Sequence, residues 1–342
     1  FFLNDPKLSL FVLTASCGIL IPFIIYLLVK KLLNKQAALI AFLVTISSNY
    51  LLNISLTMLS DSVGLFFFFL GLYLLEIKKN KISGFIFAVA LFSRPSYIIL
   101  FTVGFIYLFF YKKESIRPIL SYFILGIIIF LGFILLNDGT LYFIEAKRFL
   151  LGHFNIWGTG QNSEITWFSN IFSWINLPYA LLVFCFFKVN TNLRLYYSFF
   201  LVYFLWILFA QNPDNIRHMI PLIFIGNILL SSFLLNFKKI YVFGIIIFNL
   251  FFFNNLSQKT SPLEKILLDI KDDNRTIITN RGIEIFRKQQ ENPVLDRYYL
   301  HSTNFIKTQK KTYTIATSKL QKENRKEYKG RFIGEHTYYL YK

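Results

Sequence analysis

Apolar blocks of membrane-crossing length recur down this chain, separated by short connections rich in lysine and arginine. A hydrocarbon core of about 30 Å takes roughly 20 residues of helix. Blocks near residues 8–29, 37–52, 63–77, 82–93, 97–111, 119–136, 171–187, 195–210, 218–236 and 240–253 read as about ten crossings. Backbone polar groups in lipid must find partners within the spanning structure, which leaves helices or closed barrels. Long Leu, Ile and Phe runs with little period-two alternation argue against a barrel. The expected fold over residues 1–253 is therefore an all-α polytopic membrane bundle.

Charge orients the bundle. The net charge is +18 and 55% of residues are hydrophobic. Lys30-Lys31 and Lys35, Lys78-Lys79 and Lys81, Lys112-Lys113 and Arg117, Lys188 and Arg194, and Lys238-Lys239 all fall in connections between apolar blocks. That is the positive-inside pattern rather than a nucleic-acid footprint, so no nucleic-acid partner is expected. One orientation satisfies all five basic connections. It places residue 1 and everything after residue 254 outside a bacterial-type cell membrane. Residues 254–342 are polar, with strand-like runs at 276–279, 312–316 and 337–341 and helix-like patterns near 262–271 and 282–290. They read as a small extracytoplasmic α/β domain. The two cysteines, Cys17 and Cys185, lie inside apolar blocks and read as packing residues, not as a disulfide or metal pair.

Ionisable residues at the outer ends of the blocks carry the functional signal, because charge at membrane depth is costly. Asp61 opens an apolar block in Ser60-Asp61-Ser62, and Arg94-Pro95 closes the next. Pro95 suits a helix start, where its missing N–H is not needed. Asp61 could equally be a solvated helix cap, and Arg94 a snorkelling anchor. A guanidinium at that level can hold a phosphate bidentately. Arg217-His218 stands at the mouth of a later block; its plain alternative is an interface cap with Asp214 paired to Arg217. The polar insert 137–169 carries Glu145, His153, Trp157 and Glu164, which together suit the rim of a sugar or head-group site. There is no GxxxxGK[ST], HExxH, GxSxG or CxxC pattern, so ATP-driven transport and zinc-protease chemistry lack support.

The ordered set formed by the polar loop ending Ser60-Asp61, the basic hairpin, the Ser93-Arg94-Pro95 end, and Arg217-His218 with Pro221 resembles the GT-C superfamily of integral-membrane glycosyltransferases. That type includes protein O-mannosyltransferases and aminoarabinose transferases. The resemblance implies transfer of a sugar from a polyprenyl-phosphate-linked donor to an extracytoplasmic lipid, glycan or protein acceptor, in contact with membrane lipids. Carried over residue by residue, Asp61 would be a catalytic acid. Arg94, Arg217 and His218 would bind the donor phosphate, and Asp61 with His218 would be candidate ligands for a divalent metal ion. The family's general base lies in the first outer loop. Asn4-Asp5-Pro6 resembles the end of that loop, so the first span and its acid are expected to precede residue 1. Competing readings are a flippase or transporter for polyprenyl-linked glycans and a non-catalytic membrane scaffold. Charges gathered at the outer ends, rather than in mid-span, favour the enzyme.

Overall fold

The computed structural model describes residues 6–56, 60–152, 166–187, 189–211, 213, 216–237, 239–257, 262–271, 275–279, 294–296, 312–316, 325–328 and 338–341. Asp5, the helix-like pattern at 282–290 and residue 337 lie outside the described residues. By chain contacts the protein divides into two compact units. One holds residues 1–140, 175–209 and 217–253; the other holds 141–174, 210–216 and 254–342.

In the first unit the apolar blocks are helices, as their length and hydropathy dictate. They are α1 (Pro6–Leu32), α2 (Lys35–Ile46), α3 (Asn49–Leu56), α4 (Ser60–Glu76), α5 (Asn80–Ser93), α6 (Ile98–Tyr111) and α7 (Lys113–Asp138). Among the described residues, four helical stretches are long and apolar enough to cross a membrane alone: Leu8–Leu32, Lys113–Asp138, Thr191–Ala210 and Arg217–Leu234. The remaining apolar helices are shorter, so the expected ten full crossings are not reproduced one for one. Two local causes are visible. The second block breaks after α2, where Ser47 turns its backbone N–H onto the carbonyls of Leu43 and Thr45 and the chain restarts as α3. The seventh block winds as a 3-10 helix over Trp174–Leu181, with Pro178 inside it. Proline cannot donate the backbone bond a regular helix needs there.

α4 and α5 form a hairpin whose turn is a helix-capping motif. The N–H of Lys79 bonds the carbonyl of Leu74 at 2.8 Å, and that of Lys78 bonds the carbonyl of Leu75 at 3.0 Å. Lys78 takes φ of 63°, the left-handed position that such caps usually give to glycine. The hairpin is pinned in mid-course by Ser83 Oγ, which donates to the Gly71 carbonyl at 2.8 Å. α5 also packs on α7, and α1 packs on α2, α3 and α4. Phe68 of α4 is the aromatic hub, in edge or tilted contact with Phe69, Phe87, Tyr97, Phe101 and Phe199.

α11 (Arg194–Ala210), α12 (Ile220–Leu234) and α13 (Lys239–Ser257) follow in chain order. A second polar feature of this unit is neutral. Asn227 of α12 donates to Thr45 Oγ1 at 3.2 Å, Asn249 of α13 donates to Ser47 Oγ at 3.2 Å, and Tyr50 donates to Asn176 Oδ1 at 2.8 Å. These hydrogen bonds offset the cost of burying amides and hydroxyls. They tie the break between α2 and α3 to α12, α13 and the 3-10 segment.

The second unit holds the helix Leu141–Gly152 (α8), the short helix Trp167–Ile171 (α9) and the C-terminal residues. The expected polar insert is thus helical at its start. Trp167 Nε1 donates to the Gln211 carbonyl, and Asn170 Nδ2 donates to the Pro213 carbonyl. Helix α10 (Leu182–Cys185) falls in the first unit, and the helix Pro262–Asp269 (α14) falls in the second. Five strands follow: β1 (Thr276–Thr279), β2 (Val294–Asp296), β3 (Thr312–Ala316), β4 (Arg325–Tyr328) and β5 (Tyr338–Tyr341). They form one sheet in the order β2-β1-β3-β5-β4. β1 pairs parallel with β2 and β3, whereas β5 pairs antiparallel with β3 and β4. α14 packs on β4 and β5, with Leu263, Ile266 and Leu267 against Tyr328, Tyr338 and Leu340.

Asp269 at the end of α14 accepts from both Lys326 Nζ and the Tyr328 hydroxyl, clamping the helix to β4. The hydrogen bond to Asp269 raises the Lys326 ammonium above its ordinary range. Burial first, then the bond to Asp269, raises the Tyr328 phenol. Both groups are held in their protonated forms. Their contribution to stability is complete below their ordinary values, near pH 10, and disappears as pH rises through the raised ones. Near-ultraviolet circular dichroism melts should show this unit weakening on the alkaline side, and Tyr328→Phe should flatten the dependence. A melting temperature that is flat from pH 8 to 11 in the wild type would contradict the clamp.

Candidate active site

The α4–α5 hairpin brings the start of one helix beside the end of the next, and both ends carry charge. Asp61 sits in the first turn of α4, where a carboxylate is favoured by the exposed N–H groups of the helix end. Arg94 caps α5, its backbone N–H bonding the Ala90 carbonyl at 2.9 Å. Pro95 then starts the 3-10 turn Pro95–Tyr97, the position expected for it. Arg94 Nε lies 3.1 Å from Asp61 Oδ1. Its N–H is not aligned for a hydrogen bond, so the contact is mainly one of charge. Asp61 is 1% exposed and Arg94 is 15% exposed.

Gly64, one turn along α4 from Asp61, makes this approach possible. A Cβ there would stand 2.8 Å from the Arg94 Cβ and 3.1 Å from Tyr97 Cε2. Tyr97, fully buried, therefore lies with its ring against bare α4 backbone. The charges of Asp61, Arg94 and Arg217 all reach its hydroxyl. Asp61 and Arg94 act in the same way on buried Tyr203 of α11. Three polar atoms of Asp61, Arg94 and Tyr97 have no hydrogen-bond partner among the described residues: Asp61 Oδ2, Arg94 Nε and the Tyr97 hydroxyl.

The structure thus joins three of the residues singled out in the sequence, Asp61, Arg94 and Arg217, in one electrostatic group. Asp61 and Arg94 are paired with each other. His218 is part-buried on the same turn as Arg217, Ile216–Met219. Glu145 lies on α8, in the other unit. His153, Trp157, Glu164 and Asp214 lie outside the described residues. No three His, Cys, Asp or Glu side chains converge among the described residues. No step below is routed through a metal ion. Sequence reasoning missed Tyr97 and Tyr203. Tyr97 had a signal, since Pro95 fixes a tight turn that brings residue 97 back over Arg94. Tyr203 had none within the aromatic run of α11.

A buried carboxylate–guanidinium pair at one end of a bundle of apolar helices defines a multi-pass membrane protein with a charged site at the helix ends. Residues 2–136 match the model of the dolichyl-phosphate-mannose-protein mannosyltransferase family. Over those residues the match bears out the resemblance to GT-C glycosyltransferases. It takes in Asp61, Gly64, Arg94 and Tyr97 and ends within α7; Arg217, His218 and the sheet lie beyond it. No curated protein and no solved structure matches the chain.

Proposed function

We propose that the protein transfers a sugar from a polyprenyl-phosphate-linked donor to an acceptor hydroxyl on the extracytoplasmic side of a cell membrane. The observation that carries this is the Asp61–Arg94 pair. The carboxylate engages Arg94 through Nε. The two terminal Nη groups, which are not the atoms of that contact, can serve as a fork for a phosphate. Arg217 adds a second positive charge to the group. A cleft between α4, α5, α6 and α11 is lined by apolar side chains such as Phe68, Leu72, Leu100, Phe101, Leu108 and Phe199.

In this reading the acceptor oxygen attacks the anomeric carbon of the sugar. A new C–O bond forms, and the bond from that carbon to the lipid phosphate breaks with its electron pair. The guanidinium groups offset the charge that grows on the departing phosphate. The acceptor proton passes to a carboxylate, a role assigned to Asp61, whose Oδ2 is free of hydrogen bonds among the described residues. On the sequence alone, Glu145, His153, Trp157 and Glu164 of the insert are read as the acceptor rim.

Arg94→Lys tests the fork separately from the fold, because the charge opposite Asp61 is kept. In nanodiscs, with radiolabelled polyprenyl-phosphate-mannose and a threonine-containing peptide, kcat/KM should fall about 100-fold. The melting temperature should change little. Transfer at the wild-type rate would remove Arg94 from the site. Movement of the lipid-linked sugar between leaflets without transfer would favour a flippase.

A further inference from the structure

Asp61 Oδ2 and the Tyr97 hydroxyl form a mismatched pair. Both are buried, both belong to the Arg94 group, and neither has a hydrogen-bond partner among the described residues. One is an acceptor and the other a donor. No hydrogen bond joins them. Orphaned buried polar atoms are uncommon, and each calls for an explanation.

Each of the two is held in place by rigid parts. Asp61 is fixed by its place in the first turn of α4 and by Arg94. Tyr97 is fixed by the turn that begins at Pro95, by its N–H bonding the Arg94 carbonyl at 3.0 Å, by its ring against Gly64, and by its edge contact with Phe68. A group that satisfies both must accept from a phenol and donate to a carboxylate. Phosphate oxygens do not donate when ionised, and the carboxylate repels them. An ammonium donates but does not accept. An alcohol does both through one oxygen.

We propose that Asp61 Oδ2 and Tyr97 form a subsite for a single substrate hydroxyl, distinct from the phosphate fork of Arg94. This rests on the transferase reading and deepens it. The hydroxyl belongs either to the sugar of the donor or to the acceptor. In the second case Asp61 is placed to take its proton, and Tyr97 is the positioning residue that aims the oxygen. Tyr97→Phe keeps the ring on Gly64 and removes only the donor. In the absence of substrate, deleting an unpaired buried hydroxyl is neutral or stabilising, so the variant should fold with an unchanged or higher melting temperature.

The test uses the full chain in nanodiscs, wild type and Tyr97→Phe, with polyprenyl-phosphate-mannose, its 2-, 3-, 4- and 6-deoxy analogues, and a threonine-containing peptide as acceptor. Binding of the lipids is measured by thermophoresis and transfer by radiolabel. If the hydroxyl is the sugar's, one deoxy analogue binds the wild type about tenfold more weakly than the parent, and Tyr97→Phe abolishes that difference. If it is the acceptor's, no deoxy analogue is penalised, and Tyr97→Phe raises the KM for the peptide about tenfold while the donor KM stays put. The subsite is overturned if Tyr97→Phe leaves the deoxy pattern and both KM values unchanged. A wild type that binds the lipids but transfers nothing defeats the transferase reading; the deoxy-binding comparison then decides the subsite alone, and no penalty there overturns it.

Discussion

Arg94→Ala is expected to destabilise the protein by about 3–5 kcal/mol, the cost of leaving a buried charge without its partner. Asp61 is 1% exposed, and the Arg94 guanidinium lies 3.1 Å from it. Removing the guanidinium strands the carboxylate in an apolar bundle end. Much of that cost belongs to the abandoned acid rather than to the lost contact. Two further variants separate the terms. Asp61→Asn alone leaves Arg94 beside a neutral amide and should cost less, because Arg94 stays 15% exposed and keeps access to water. Asp61→Asn combined with Arg94→Met removes both charges and should recover most of the loss. Thermal unfolding in nanodiscs reads all three. If the double variant is as unstable as Arg94→Ala, burial of an unpaired charge is not the cause. Activity should be lost in every one of them: Arg94→Ala and the double variant lack the guanidinium fork, and Asp61→Asn lacks the carboxylate that takes the acceptor proton.

The second large effect lies away from the charges. Gly84 of α5 faces the backbone of α7: a Cβ there would stand 2.1 Å from the Ile119 carbonyl oxygen, 2.9 Å from its carbon and 3.1 Å from its Cα. Backbone cannot rotate aside as a side chain can, so Gly84→Ala must push α5 and α7 apart. Overpacking of this kind costs about 1–3 kcal/mol, occasionally more. The damage should spread to the hairpin, because Ser83 donates to the Gly71 carbonyl from the adjacent position. Gly132 of α7 provides the control. Nothing lies within 4 Å of a Cβ built there, so Gly132→Ala should be neutral or gain up to about 1 kcal/mol from helix propensity. Equal melting temperatures for the two variants would rule out the close approach of α5 and α7.

Much of the candidate site was legible in sequence because membrane burial makes charge conspicuous. Asp61, Arg94 and Arg217 stand out for the same reason that they are costly. The basic connections predict that α4 and α5 form a hairpin with its turn at Lys78–Lys81, which puts Asp61 and Arg94 at the same end. What sequence could not supply is their distance. Two charges at one end of a hairpin can face lipid head groups separately or face each other. Here the choice is made by Gly64, whose missing side chain lets Arg94 and Tyr97 close onto α4. A glycine in an apolar run carries no label that says which neighbour it admits.

The seventh block shows the opposite limit. Its hydropathy announces a span, but hydropathy has no term for the hydrogen bond that Pro178 cannot make, so a 3-10 helix over Trp174–Leu181 takes the place of a regular one. The amides of Asn227 and Asn249 are conspicuous in apolar runs, yet their partners Thr45 and Ser47 are about 180 and 200 residues distant. Composition and charge periodicity, by themselves, determined the membrane class, the order of helices and the face that gathers ionisable groups, because lipid imposes those costs on every residue alike. Tertiary packing alone decided that Asp61 spends one oxygen on Arg94 and keeps the other open beside Tyr97. That depends on angstrom-scale approach between helices, which no pattern along the chain encodes.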